Sequence, residues 1–276
     1  VDIGGKPCLL KNYFRFLRFV ILPMKLLACL FIFICFTDQV RADNPDYKRA
    51  IQLKEKGQWN EALEIFKTLL ASDSNNVSYL QETASLLLKT GYLSGNETVK
   101  RKNYFTAEYL ILKALDIEPG NITSHFLYLA ALGRITEISS NMEKLRMVKK
   151  IRSECDFILS QDSTHGATWH ILGRWHRELA ALSPFERWMI QQIIGKIKGG
   201  TFDDALFCFY KAIRYAPSDV SHYYETARTL TMRNKSGDKK AAVNWLTKGL
   251  ALPANPNNAD ELHFRDLMEK LLRQLN

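Results

Sequence analysis

The chain has 276 residues, 46% of them hydrophobic and 24% charged, with a formal net charge of +9. The first 42 residues hold six Lys/Arg and two Asp/Glu; the remaining 234 carry 32 basic against 27 acidic residues, a net of +5. That modest surplus is no nucleic-acid signal by itself, and the length suits one extended repeat domain with a continuous core.

The N-terminal stretch differs in kind from the rest. Met24-Lys25 forms a short basic start, Leu26 to Phe36 is an unbroken apolar run of eleven, and Val40-x-Ala42 places small residues where a signal peptidase reads. This pattern predicts a secretory signal peptide over residues 1–42, cleaved after Ala42 and too short to span a bilayer. Residues 1–23 read as an over-extended start, since the chain opens on Val1. Were they translated, residues 16–36 could form a membrane anchor, although Arg18 and Lys25 interrupt it. Leu26-Leu27-Ala28-Cys29 mimics a lipoprotein box but sits too close to Met24 to have an apolar region before it. The expected location is extracytoplasmic, periplasmic or secreted, the alternative being cytoskeletal or membrane-anchored. Three of five cysteines fall in this segment. Cys155 and Cys208 remain at core positions and are expected as buried free thiols, and no Cys-x-x-Cys or zinc spacing occurs.

Residues 43–276 are predicted to form an all-α, tetratricopeptide-repeat-like solenoid of about five helix pairs. Ala50, Leu53, Gly57, Ala62, Phe66 and Leu69 make the first copy. Leu80, Ala84, Leu87, Gly91, Ala107, Ile111, Ala114 and Pro119 make the second, lengthened between Gly91 and Ala107. A degenerate third runs from His125 through Leu132 to Ile151, Cys155 and Ile158. The fourth has Trp169, Leu172 and Gly173, then Ala205, Phe209, Ala212 and Pro217; the fifth has Tyr223, Ala227, Leu230, Ala242, Leu246 and Pro253. Glu261 to Leu275 closes the array as a cap. Small residues let the paired helices approach closely while aromatics fill the space beside them, and each pair buries its apolar stripe only against its neighbours.

Gly57, Gly91 and Gly237 are expected to follow first helices. The polar stretch Gly91 to Asn103 reads as a surface loop. Ser183-Pro184-Phe185-Glu186 is a capping box with proline at the first helical position. It opens an inserted helix, with Trp188, Met189, Ile193, Ile194 and Ile197 on one apolar face and Gly199-Gly200 as its stop. Docking of that face on the solenoid is expected, with a mobile lid as the alternative. Asn76, Asn96, Asn121 and Asn234 stand in Asn-x-Ser/Thr sequons.

No catalytic or cofactor motif is present. There is no glycine-rich phosphate loop, no His-Glu-x-x-His and no nucleophile elbow. His170 and His176 are six apart and do not share a helical face as metal ligands would, so neither metal nor cofactor is expected. The candidate site is the inner face of the solenoid, where first-helix positions beside the packed stripe read Lys89, Arg134, His170, Arg174, Arg177, Tyr224 and Arg228. His170, Arg174 and Arg177 share one helical face. A run of planar guanidinium groups suits an acidic peptide or a C-terminal carboxylate. The competing reading is a solvated face neutralised by Glu178 and Glu225, or an Arg174 that fixes the inserted helix through Glu178 or Glu186.

His170-x-Leu172-Gly173-Arg174-Trp175, Leu182-Ser183-x-x-Glu186-Arg187, Asp204-Ala205-Leu206, Phe209, Lys211-Ala212, Pro217, Trp245, Leu250 and Leu252-Pro253 together resemble the regulator of microtubule dynamics family over about residues 100–275. The resemblance implies a tetratricopeptide-like adaptor without catalysis. It also implies, for the animal members, links to microtubules, spindle poles and mitochondrial contact sites, with tubulin as partner. A cleaved signal peptide departs from that setting and suits an exported, bacterial-type member whose partners are other proteins.

Overall fold

The computed structural model describes residues 44–195, 199–256 and 258–276. The predicted signal peptide and anchor lie outside them. Among the described residues there are twelve α-helices and no strand, and no helix is long and apolar enough to cross a membrane.

Among the described residues, 44–72 belong to one compact unit and those from Asp73 to Asn276 to a second. The first contains a single pair, α1 (Pro45–Glu55) and α2 (Trp59–Ser72). The Asn44 side chain accepts from the backbone N–H groups of Asp46 and Tyr47, and Pro45 occupies a first-turn position that has no intrahelical partner to lose. Ala50, Ala62 and Phe66 are buried, and the Tyr47 ring meets Phe66 edge-on at 5.5 Å.

The second unit holds four pairs: α3 (Val77–Leu93) with α4 (Glu97–Ile117), α5 (Ile122–Glu137) with α6 (Asn141–Gln161), α7 (Gly166–Ala180) with α9 (Phe202–Tyr215), and α10 (Val220–Arg233) with α11 (Asp238–Leu250). The inserted helix α8 (Pro184–Ile194) separates α7 from α9, and α12 (Ala259–Leu275) packs on α10 and α11 as the cap. The small residues read from the sequence sit where helices cross: Ala84, Ala107, Ala114, Ala205, Ala212, Ala227 and Ala242 are all fully buried. Leu129, Cys155, Ile158, Leu172, Trp175, Leu179 and Cys208 form one core cluster, and Leu206, Val220, Tyr223, Leu230, Leu246 and Met268 belong to another. Both cysteines are free and buried as expected; burial raises both thiols, Cys208 to about 12, so neither is a ready nucleophile. The sequon asparagines have structural work. Asn76, Asn96 and Asn121 are N-caps, and Asn234 ends α10 in the left-handed conformation.

Three local expectations are corrected. Gly91 lies inside α3, not after it, because Tyr104 of α4 presses on it: a Cβ there would come within 2.7 Å of that ring. The polar stretch to Asn103 is not a loop, since Asn96 caps α4 and its first turns are helical with their charges in solvent. The inserted helix stops at Gly195 (φ +80°), before Gly199-Gly200.

The two glycines have another task. Both have positive φ, and side chains there would meet His176 and Leu179 at 2.7 and 2.9 Å. Arg187 of α8 donates to the carbonyls of Gly199 and Gly200, while His176 Nδ1 accepts from the Gly200 N–H at 2.9 Å. Burial lowers the His176 pKa, which keeps that nitrogen an acceptor. The capping box at Ser183 and Glu186 forms as read. The apolar face of α8 does not dock: Trp188 is 57% exposed, and Phe185, Met189 and Ile193 are exposed with it, while α8 touches α6. Ile197 lies outside the described residues. Trp188→Phe is therefore expected to remove a strongly acrylamide-quenched emission component and to change stability by no more than about 0.5 kcal/mol. Amides of α8 should exchange faster than those of α7 and α9. A loss of several times that stability would mean that Trp188 is packed.

Candidate partner-binding groove

The seven candidate residues lie on α3, α5, α7 and α10, the first helices of their pairs. The structure gathers them into two groups and two separate contacts, those of Tyr224 and His170. On α7 and α10, Arg174, Arg177 and Arg228 converge on a single carboxylate, Glu225. Lys89 and Arg134 gather around the Tyr92 ring, with Arg134 4.0 Å and Lys89 5.8 Å from its centroid. Tyr224 instead packs on Phe264 of α12, ring centroids 5.8 Å apart.

Arg177 corrects the expectation of an exposed ladder. Its side chain is 0% exposed and forms a hydrogen-bonded ion pair with Glu225, itself 5% exposed, and a second with Glu178 at 3.0 Å. Burial works against its charge, but the two carboxylates outweigh burial and hold its pKa above the usual arginine value. The residue fixes α7 to α10 and is unavailable to a ligand. Arg174 and Arg228 differ. They are 52% and 44% exposed, and each stands 3.9 Å from Glu225, beyond hydrogen-bond length. With Glu178 and Glu225 both engaged by Arg177, the five groups sum to +1. Glu186 caps α8 and makes no pair with Arg174 among the described contacts.

His170 is withdrawn as well. Its Nδ1 lies 2.9 Å from Nδ1 of His222, a distance that requires one nitrogen to donate and the other to accept. Burial lowers both pKa values, helped at His170 by its neighbour and by Arg174, so the pair is neutral at physiological pH. His170 also meets the edge of Phe209. Among the described residues no group of three His, Cys, Asp or Glu could hold a metal ion.

The model of the family described as Regulator of microtubule dynamics protein 1-3 matches residues 46–276. The chain belongs to this family. The bovine (Bos taurus) Regulator of microtubule dynamics protein 1 is 21% identical over 212 residues, which is 75% of this chain and 65% of that protein. The match thus spans just under two thirds of the relative's length. Among solved structures, a thermophilic TPR protein of Thermus thermophilus superposes with a TM-score of 0.56 at 12% identity, covering 81% of this chain and 97% of that one. That likeness is one of fold. A MamA structure from Desulfovibrio magneticus overlaps with a TM-score of 0.48 at 14% identity, over 75% and 92% of the two chains.

Within this member of the regulator of microtubule dynamics family, the Leu172-Gly173-Arg174-Trp175 stretch divides by role. Leu172 is buried in the core, Gly173 lies against Phe209, and the Trp175 indole donates to the Val148 carbonyl at 2.9 Å. Packing accounts for three of the four residues. Arg174 alone points its charge outward.

Proposed function

We propose that this family member is a non-enzymatic tetratricopeptide scaffold that holds an acidic segment, or a C-terminal carboxylate, of a partner protein through Arg174 and Arg228. The observation that carries this reading is the pair of half-exposed guanidiniums left without a hydrogen-bonded carboxylate, because Arg177 already occupies Glu225. Each planar fork can take two oxygens, and solenoids of this kind bind along the surface their first helices line. Lys89, Arg134 and Tyr224 extend the same row of first helices. Replacing Arg174 and Arg228 together with Ala is expected to abolish capture of the partner by immobilised protein while the helical circular-dichroism signal is unchanged. A partner retained equally well by that double variant would sink the reading and return both arginines to a solvated face.

The proposed setting is extracytoplasmic, supported by the Met24-Lys25, Leu26 to Phe36 and Val40-x-Ala42 pattern. A second reading, favoured by the family match and by the name of the bovine relative, is a cytoplasmic regulator of microtubule dynamics. Purified native protein beginning at Asp43 supports export. An uncleaved N-terminus together with co-sedimentation on microtubules supports the second reading.

A further inference from the structure

The fifth pair and the cap share one core. Tyr223, Ala227 and Leu230 of α10 pack with Leu246 of α11 and Met268 of α12, and α9 adds Leu206. Where α10 meets α7, two polar layers lie one turn apart. One is the His170–His222 pair, Nδ1 to Nδ1 at 2.9 Å, and the other is the hydrogen-bonded Arg177–Glu225 ion pair. His222 is 1% exposed. Among the described residues its Nε2 has no hydrogen-bond partner, and it lies 3.7 Å from Asp219 Oδ2. The arrangement that suits Asp219 puts the His222 hydrogen on Nε2, so His222 accepts at Nδ1 and His170 donates.

The charges acting on the two rings are Arg174 and Arg177 from α7 and Asp219 from the start of α10. α9 offers the uncharged edge of Phe209, and α11 and α12 meet α10 through its apolar stripe. A single added proton would keep the hydrogen bond but join Arg174 and Arg177 in like charge. With both rings protonated, two N–H groups would point at each other across 2.9 Å.

We propose that the His170–His222 pair is an acid-sensitive joint between the fourth and fifth pairs: protonation opens the seam between α7 and α10 and parts Arg174 from Arg228. Its bearing on partner release rests on the groove reading above; the joint itself does not. Freed by opening, each imidazole takes up a proton at its ordinary value near 6.5. In the closed seam burial holds both lower, His170 at about 3. The closed state is therefore fully favoured above about 6.5 and loses ground as pH falls below it. Two freed imidazoles raise the opening equilibrium about 70-fold between pH 7 and 5.5, and one raises it about eightfold.

Hydrogen exchange at the two pH values, each rate divided by the intrinsic rate, tests the joint. In wild type the opening read from α10 amides should rise several tens of fold, while α3 and α4 keep their protection. In His170→Gln/His222→Gln, whose amides can still donate and accept, the rise should disappear. An equal rise in that variant, or one spread evenly from α3 to α12, overturns the joint. Should the variant fail to fold, the imidazole resonances of wild type decide. Both rings should stay neutral down to pH 5.5, His170 carrying its hydrogen on Nδ1 and His222 on Nε2. Either ring titrating near 6.5 in the folded protein overturns the proposal. Hexaglutamate should lower the opening at pH 5.5 in wild type and not in Arg174→Ala/Arg228→Ala. No lowering in wild type overturns the link to partner release and leaves the joint to the exchange result. Equal lowering in both proteins overturns the groove reading instead.

Discussion

Arg177→Met is expected to lower the free energy of unfolding by about 3–5 kcal/mol, the usual cost of leaving a buried partner charge uncompensated. Glu225, 5% exposed, would lose its one hydrogen-bonded guanidinium. Arg174 and Arg228 stand 3.9 Å away and can move towards it, which places the loss at the lower end of that range. Arg177→Met/Glu225→Met should recover most of it, because an apolar pair of similar volume needs no compensation. Denaturant unfolding of the two variants checks both statements. A single variant within about 1 kcal/mol of wild type would remove Arg177 from the structural role assigned to it.

Gly173→Leu is the second large effect. A Cβ on Gly173 would lie 2.7, 2.9 and 2.9 Å from three carbons of the Phe209 ring. That ring is fully buried and flanked by His170 and Arg177, so it has nowhere to move. Overpacking of this sort costs about 1–3 kcal/mol, and the leucine should reach the top of the range. Gly173→Ala meets the same first clash but recovers about 1 kcal/mol of helix propensity, so its loss should be smaller. An unchanged thermal midpoint in Gly173→Leu would contradict the pairing of α7 with α9.

The repeat frame was legible because it depends on residue size at fixed spacing. Ala84 and Ala107, or Ala205 and Ala227, are fully buried where larger side chains would hold helices apart. Polarity misled between Gly91 and Asn103, since Lys100, Arg101 and Lys102 report contact with water and say nothing about helix or loop; the Asn96 cap was the local signal for a helix start. The apolar face of α8 was visible as a pattern, but a pattern does not say what covers it, and Trp188 is left in solvent. The candidate site was legible as a set of residues and not as a geometry. Arg174 and Arg177 are one turn apart on α7, yet one is half-exposed and the other sealed, and the difference is made by Glu225, 48 residues downstream. Glu178 and Glu225 could be named as neutralising partners from sequence; that both would choose Arg177 could not. The His170–His222 contact depends on tertiary placement that no local spacing encodes.

The most direct test of the groove is one titration of a hexaglutamate peptide into wild type and into Arg174→Ala/Arg228→Ala, at low and at raised salt, alongside thermal melts of both. Exposed charges are screened over about 8 Å at physiological ionic strength. The expected result is wild-type binding that weakens as salt rises, no binding by the double variant, and indistinguishable melting curves. Equal binding by both proteins with the same salt dependence would contradict it and place any acidic ligand elsewhere on the molecule.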